Sequence, residues 1–300
     1  MTSFRKKHIK SKIHKIKPKK SIFKRLWFWI VLLFLIVIFS ASYFFIFYSD
    51  VQVKNIIISG NQKIASKDIE NLISDNINNK ILGIGSWEVN SKSIFLINSE
   101  KLKREILNKF PLIESVKIDK IFMQTLIFEI NERVAIAVLC PSLDKTIELE
   151  VTLEGEYSEN GNCYFIDADG IIFEPVNEIP QDMVIVRQET NDAQISVGKK
   201  AVQQNIIDLV SKVEKSLKDN FQINLKTAIV ISPVRLNIET KENWQIYFDL
   251  NPDADTNSQI TKLNLLFSNG ISADDRKNLR YIDLRPKDRA VVCDNDTCAQ

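Results

Sequence analysis

Residues Leu26 to Tyr48 (LWFWIVLLFLIVIFSASYFFIFY) form a run of 23 residues without a charge, a proline or a glycine. As an α-helix such a run extends about 34 Å, enough to cross a hydrocarbon core of about 30 Å. A soluble-core helix of this composition would offer water no polar face. Trp27 and Trp29 at one end, and Tyr43 and Tyr48 at the other, occupy the places of interfacial aromatics. A cleaved signal peptide would have a shorter apolar region, roughly 7–15 residues, followed by a small-residue cleavage site. Here Ser40-Ala41-Ser42 lies inside the run with six more apolar residues after it, so an uncleaved anchor is expected.

Charge gives the anchor a direction. Residues 1–25 contain eleven Lys or Arg and no acid. By the positive-inside tendency that end stays in the cytoplasm and residues 49–300 lie outside. Without the tail, 29 basic residues stand against 38 acidic ones, a net charge of −9, which argues against a nucleic-acid surface on the ectodomain. The tail has no apolar periodicity. It reads as a topology signal that also touches acidic headgroups.

Beyond the anchor the chain is long enough for two domains. Val51–Ile58 reads as a strand stopped by Gly60-Asn61. Ser66 is placed to cap a helix bearing Ile69, Leu72, Ile73 and Ile77, and Ser99 to cap a second bearing Leu102, Ile106 and Phe110, ended by Pro111. An irregular stretch with Gly83 and Gly85 separates them. Alternation at Val116 and Ile118, then at Leu126, Phe128 and Ile130, gives two strands, for a β-α-α-β-β order. Strands are next expected at 134–139, 147–153, 163–167, 171–173, 184–187, 226–231, 235–240 and 244–249. Apolar spacing predicts a helix over Val202–Leu217 and a shorter one over Ile260–Phe267, closed by Asn269-Gly270. Tyr281–Arg285 and Ala290–Cys293 then form a terminal hairpin, placed to be a sheet edge.

All four cysteines (Cys140, Cys163, Cys293, Cys298) fall in the ectodomain, where disulfides form and three pairings are open. Cys140 ends one apolar strand and Cys163 opens the next, so a hairpin of the two would let these thiols meet. Metal binding is not expected, because the spacing is loose and no histidine is near. Both histidines, His8 and His14, are in the tail, which removes imidazole chemistry from the ectodomain. No nucleophile elbow or phosphate-cradling loop is present, so no catalytic or cofactor-binding residue is assigned. Paired carboxylates acting on a glycan are the enzymatic alternative, a membrane-anchored envelope enzyme acting on peptidoglycan. Asp167 and Asp169 flank a turn, however, and Glu132-Arg133 at a strand end reads as a surface or interdomain ion pair. Trp87 and Trp244 are expected in the core.

These residues carry a resemblance to the bacterial cell-division family FtsQ/DivIB. Val53–Asn61 is similar to the opening strand and turn of the family's POTRA domain, and Phe110–Val116 to its helix end, proline and strand. Ile130-Asn131-Glu132-Arg133 with Ala135 and Ala137 resembles the junction to the β domain. Tyr164–Gly170 resembles a YxxDxDG turn, and Tyr281–Arg285 the closing strand. Ala135 stands where the family often has Pro, and residues 141–162 make a longer insertion than usual.

The resemblance implies an α+β fold with a single N-terminal transmembrane helix, a POTRA-like β-α-α-β-β domain and a β-rich domain with two helices. The expected boundaries are a basic tail at 1–25, the helix at 26–48, the POTRA-like domain at 49–133, the β domain at 134–293 and a C-terminal tail at 294–300. It implies a non-enzymatic divisome scaffold at the septum that docks small bitopic coiled-coil proteins, FtsB/DivIC-like and FtsL-like. Strand addition would fall on Tyr281, Ile282, Asp283, Leu284 and Arg285, with Ala290, Val291 and Val292 on the returning strand. Septal contacts of the POTRA-like unit would use the Val51–Ile58 or the Val116–Lys120 edge. A POTRA chaperone of outer-membrane export would instead call for repeated units or a barrel.

Overall fold

The computed structural model of the protein describes residues 26–84, 87–121, 124–141, 163–188, 196–295 and 298, and over 79–91 it describes the backbone. The basic tail, most of the 141–162 insertion and the strand expected at 147–153 lie outside the described residues. Two compact units make up the chain. One takes in Met1–Asn55, Ile77–Ile97 and Lys120–Leu126, and the other Ile56–Asn76, Asn98–Asp119 and Ile127–Gln300.

In the first unit, helix α1 spans Leu26–Phe47 with no buried residue. It alone among the described helices has the length and hydropathy of a membrane span, and it fits a single pass. A 3-10 turn, Ser49–Val51, leads to a short antiparallel bridge between Gln52 and Ser93. That bridge buries Val51, Val53, Ile94 and Ile97. Strands β2 (Asn79–Ile84) and β3 (Trp87–Ser91) form an antiparallel hairpin in place of the irregular stretch expected from Gly83 and Gly85. Gly83 lies within β2, opposite Glu88, and Ile84 pairs with Trp87.

Strands β1 (Asn55–Ser59), β4 (Ile113–Ile121) and β5 (Thr125–Glu132) make a three-stranded sheet in the order β1-β5-β4. Helices α2 (Ser66–Ile77) and α3 (Ser99–Lys109) bury Ile69, Ile73, Leu102 and Ile106. The cap of α3 is Asn98, one residue before the expected Ser99. Its side-chain oxygen accepts the Lys101 N–H at 3.0 Å.

The strands that follow join one nine-stranded sheet, order β14-β13-β12-β11-β10-β9-β6-β7-β8. They are β6 (Ala137–Pro141), β7 (Tyr164–Ile166), β8 (Ile172–Pro175), β9 (Val184–Gln188), β10 (Leu225–Ser232), β11 (Arg235–Thr240), β12 (Gln245–Asp249), β13 (Leu279–Asp283) and β14 (Val291–Asp294). Helix α4 (Gln204–Phe221) connects the parallel pair β9 and β10, and α5 (Thr256–Asn269) the parallel pair β12 and β13. Parallel neighbours need such crossovers. The apolar stripe of α4 (Ile206, Leu209, Val210, Val213, Leu217) packs with Leu263 and Phe267 of α5 on a core that includes Ile238, Trp244, Ile246, Phe248 and Ile282. Trp244 is fully buried, and its indole N–H donates to Glu242.

The junction after β5 is polar and tightly bonded. Both oxygens of the Glu132 carboxylate are used, accepting the N–H groups of Gln62, Lys63 and Ile64 at 2.9–3.1 Å. Partial burial pushes that carboxyl up, but the backbone donors outweigh it and hold Glu132 below the ordinary carboxylate range. The Arg133 guanidinium pairs with Asp167 and donates from Nε to the Pro111 carbonyl at 3.0 Å. Asp167 also accepts the N–H groups of Asp169 and Ile171, closing the Asp-Gly turn between β7 and β8. Gly170 in that turn has φ +76°, and a Cβ there would lie 2.1 Å from the Val202 carbonyl oxygen.

Candidate functional site

The two ends of the long sheet are different. Beyond β8 the chain closes the edge: the Ile172 N–H donates to Lys199 and the Gly198 N–H donates to the Ile172 carbonyl, at 2.9 and 2.7 Å. At the other end β14 is outermost, and no further strand pairs with it among the described residues. An uncovered edge strand leaves a row of N–H and C=O groups for another chain.

The expected partner-binding residues divide by position on the terminal hairpin. β13 is hydrogen-bonded on both sides, to β12 in parallel and to β14 in antiparallel, so its backbone is already used. Ile282 and Leu284 are fully buried in the main core. Ala290 and Val292 pack against that core from β14 and the turn before it. Tyr281, Asp283 and Arg285 lie on the face away from the helices, and Val291 is exposed on the edge strand itself. The outermost strand at this end is therefore β14 (Val291–Asp294), with β13 next inside it.

Three residues not singled out in the sequence shape this edge. Tyr247 on β12 stacks on Tyr281 with ring centroids 5.1 Å apart. Arg235 and Arg285 each place a guanidinium over the Tyr247 ring, at 5.0 and 5.6 Å from its centroid. Each such contact is worth about 0.5–1 kcal/mol at an exposed site. Arg285 also forks onto Asp283, at 2.8 Å from Nε and 2.6 Å from Nη2. Burial pushes the Asp283 carboxyl up, but the hydrogen bonds from Arg285 and the charges of Arg285 and Arg235 outweigh it, so Asp283 is held below its ordinary range. The third residue is Lys262 of α5. Its ammonium donates to the carbonyls of Leu284, Pro286 and Arg289 at 2.9, 2.5 and 3.3 Å, and so fixes the turn between β13 and β14. A turn with three inward carbonyls needs a donor, but the sequence does not say which lysine supplies it.

Two disulfides stabilise the strands. Antiparallel pairing of β6 with β7 sets Leu139 opposite Tyr164, which brings Cys140 to Cys163, and the structure bonds them. Cys293 on the edge strand is bonded to Cys298. No group of three or more His, Cys, Asp or Glu that could hold a metal occurs among the described residues. Asp167, one of the acids considered for glycan chemistry, is engaged by Arg133 and by two backbone N–H groups. The Trp87 side chain lies outside what the structure describes.

Comparison with known proteins bears on this sheet. Among curated proteins the chain finds no match. A family model described as Cell division protein FtsQ/DivIB, C-terminal, matches residues 157–285. That range takes in β7 through β13 and both helices of the long sheet. The match covers 129 of the chain's 300 residues, and over that range the chain is similar to the C-terminal domain of FtsQ/DivIB cell-division proteins.

Proposed function

We propose that the protein is a non-enzymatic divisome scaffold that docks a partner chain by strand addition at the open edge of β14. The observation that carries this reading is the asymmetry of the nine-stranded sheet, closed at β8 by residues 198–200 and without a further strand beyond β14 among the described residues. Backbone groups of Val291–Cys293 would supply hydrogen bonds. Val291 and the Tyr281–Tyr247 face would read one set of partner side chains, and Val292 and Ala290 the other. The partners are small bitopic coiled-coil proteins, FtsB/DivIC-like and FtsL-like, met outside the cytoplasmic membrane at the septum. The N-terminal tail is cytoplasmic, residues 49–133 act as a POTRA-like domain with β1 and β4 as its outer strands, and 134–293 act as the docking domain.

Affinity capture of the tagged protein from membranes tests this reading. Small bitopic proteins are expected to co-purify with the native chain and to be lost on deletion of 281–293 or with Tyr281→Glu. Normal capture by a well-folded Tyr281→Glu variant would count against the site, and absence of any bitopic partner against the scaffold itself. Release of fragments from peptidoglycan by the purified protein would instead favour the carboxylate-enzyme alternative.

A further inference from the structure

The end of α1 is not left to solvent or lipid alone. A helix terminus carries carbonyls without intrahelical partners, which are costly at a membrane boundary unless something satisfies them. Here the Phe44 carbonyl accepts the Tyr48 N–H at 3.0 Å and the Phe45 carbonyl accepts the Ser93 hydroxyl at 2.6 Å. The Ile46 carbonyl accepts the Gln52 amide at 2.5 Å. Ser93 is fully buried, so the segment that follows β3 is seated against the last turn of the helix. Main-chain bonds from Val53 to Lys92 and from Ile94 to Val51, at 3.0 and 2.9 Å, hold it there.

Immediately after Ser93 the chain makes a turn whose tip is apolar. Ile94 is buried, but Phe95 is 50% exposed and Leu96 40% exposed. The Phe95 ring meets Phe45 edge-on, with centroids 5.2 Å apart. Phe45 lies two residues before the end of a 22-residue helix whose length, about 33 Å, slightly exceeds the hydrocarbon thickness. Phe95 therefore sits at the level where the apolar slab meets the headgroups. The main-chain groups near the tip are also prepared for a dry environment. The Leu96 N–H donates to Ser93 at 3.0 Å, and the Lys120 ammonium donates to the carbonyls of Ile94 and Ile97 at 3.2 and 2.6 Å. A turn with satisfied carbonyls can enter a bilayer interface at little polar cost. Lys92, exposed just before it, is placed to meet lipid phosphates.

We propose that the Phe95–Leu96 turn is a second membrane contact, seated in the lipid leaflet at the C-terminal end of α1. The occupant of this exposed patch is the bilayer itself, because the patch touches the end of the segment that spans it. This rests on α1 being a membrane span and extends the scaffold reading: the anchor and the base of the ectodomain enter the membrane as one piece.

Spin labels on the full chain in phosphatidylethanolamine–phosphatidylglycerol vesicles test it. The native cysteines described are all in disulfides, so Leu96→Cys and, separately, Phe39→Cys each offer one thiol without reductant. Collision with oxygen is expected to exceed collision with a water-soluble nickel chelate several-fold at both positions, with Leu96 shallower than Phe39. A label at 96 that favours the nickel chelate while the label at 39 favours oxygen overturns the membrane contact and leaves the span intact. Water-like values at both positions overturn the span and the contact together. A photoreactive phenylalanine analogue at position 95, a change that keeps the aromatic ring, gives an independent reading. It is expected to cross-link to lipid, and cross-linking only within the protein would refute the proposal.

Discussion

Replacing Arg133 by Met is predicted to loosen the second unit at a single point. Arg133 is 11% exposed and its partner Asp167 is 8% exposed, so the pair is screened little by water. Removing one partner of a buried pair costs about 3–5 kcal/mol, because the other charge is left uncompensated. Asp167 keeps the N–H groups of Asp169 and Ile171 on one oxygen, which places the loss at the low end, about 3 kcal/mol. The lost bond from Nε to the Pro111 carbonyl is already part of that figure. For a folded region of this size, 1 kcal/mol moves the melting point by about 2–4 °C, so a fall of about 6–12 °C is expected. Thermal unfolding of the purified chain, followed by circular dichroism, measures it. Adding Asp167→Asn removes the stranded charge while an amide oxygen can still accept both turn N–H groups, and it should restore about half the loss. A fall below about 2 °C for Arg133→Met, or no recovery in the double variant, would refute the reasoning that the buried charge sets the cost.

Gly170→Ala should destabilise by about 3 kcal/mol or more, since a methyl group would lie 2.1 Å from a backbone oxygen at a left-handed φ; urea unfolding measures it. Lys262→Met should leave the melting point within a few degrees but speed hydrogen exchange in 284–294 by about tenfold, because three turn carbonyls lose their donor. Asp283 has a folded pKa below its unfolded value of about 4, so its contribution is present above that value and is lost as pH falls through the folded one. The stability gap between the native chain and Asp283→Asn, read by urea unfolding, should therefore be larger at pH 7 than at about pH 3. Replacing Cys140 and Cys163 by Ser opens a loop of sequence separation 23 and should cost about 3 kcal/mol in the same assay.

Much of the architecture could be read from local pattern, because its signals are local. The apolar run became α1, and the strands expected at 235–240 and 244–249 became β11 and β12. The i, i+3, i+4 stripe from Val202 became α4, starting at Gln204 and running on to Phe221. Cys140 and Cys163 were legible as possible neighbours because one ends an apolar strand and the other opens the next, and those strands pair. Long-range pairing was not legible. Whether Tyr281–Arg285 lies at the edge or one strand inside depends on β13 crossing back through α5 to lie parallel to β12, and no residue of β13 records that. The clamp by Lys262 was hidden for the same reason: the helix pattern marks Leu263 as buried but does not say what lies beyond the next residue. The hairpin β2–β3 was not legible because Gly83, which lies within β2, weakens the local strand pattern.

Hydrogen exchange on the protein purified from membranes together with its bitopic partners, compared with the protein alone, tests the docking edge most directly. The account predicts that amides of Val291–Cys293 become at least tenfold slower to exchange in the complex, while strand β8 at the closed end is unchanged. Unaltered exchange along β14 in a complex that holds together would contradict it.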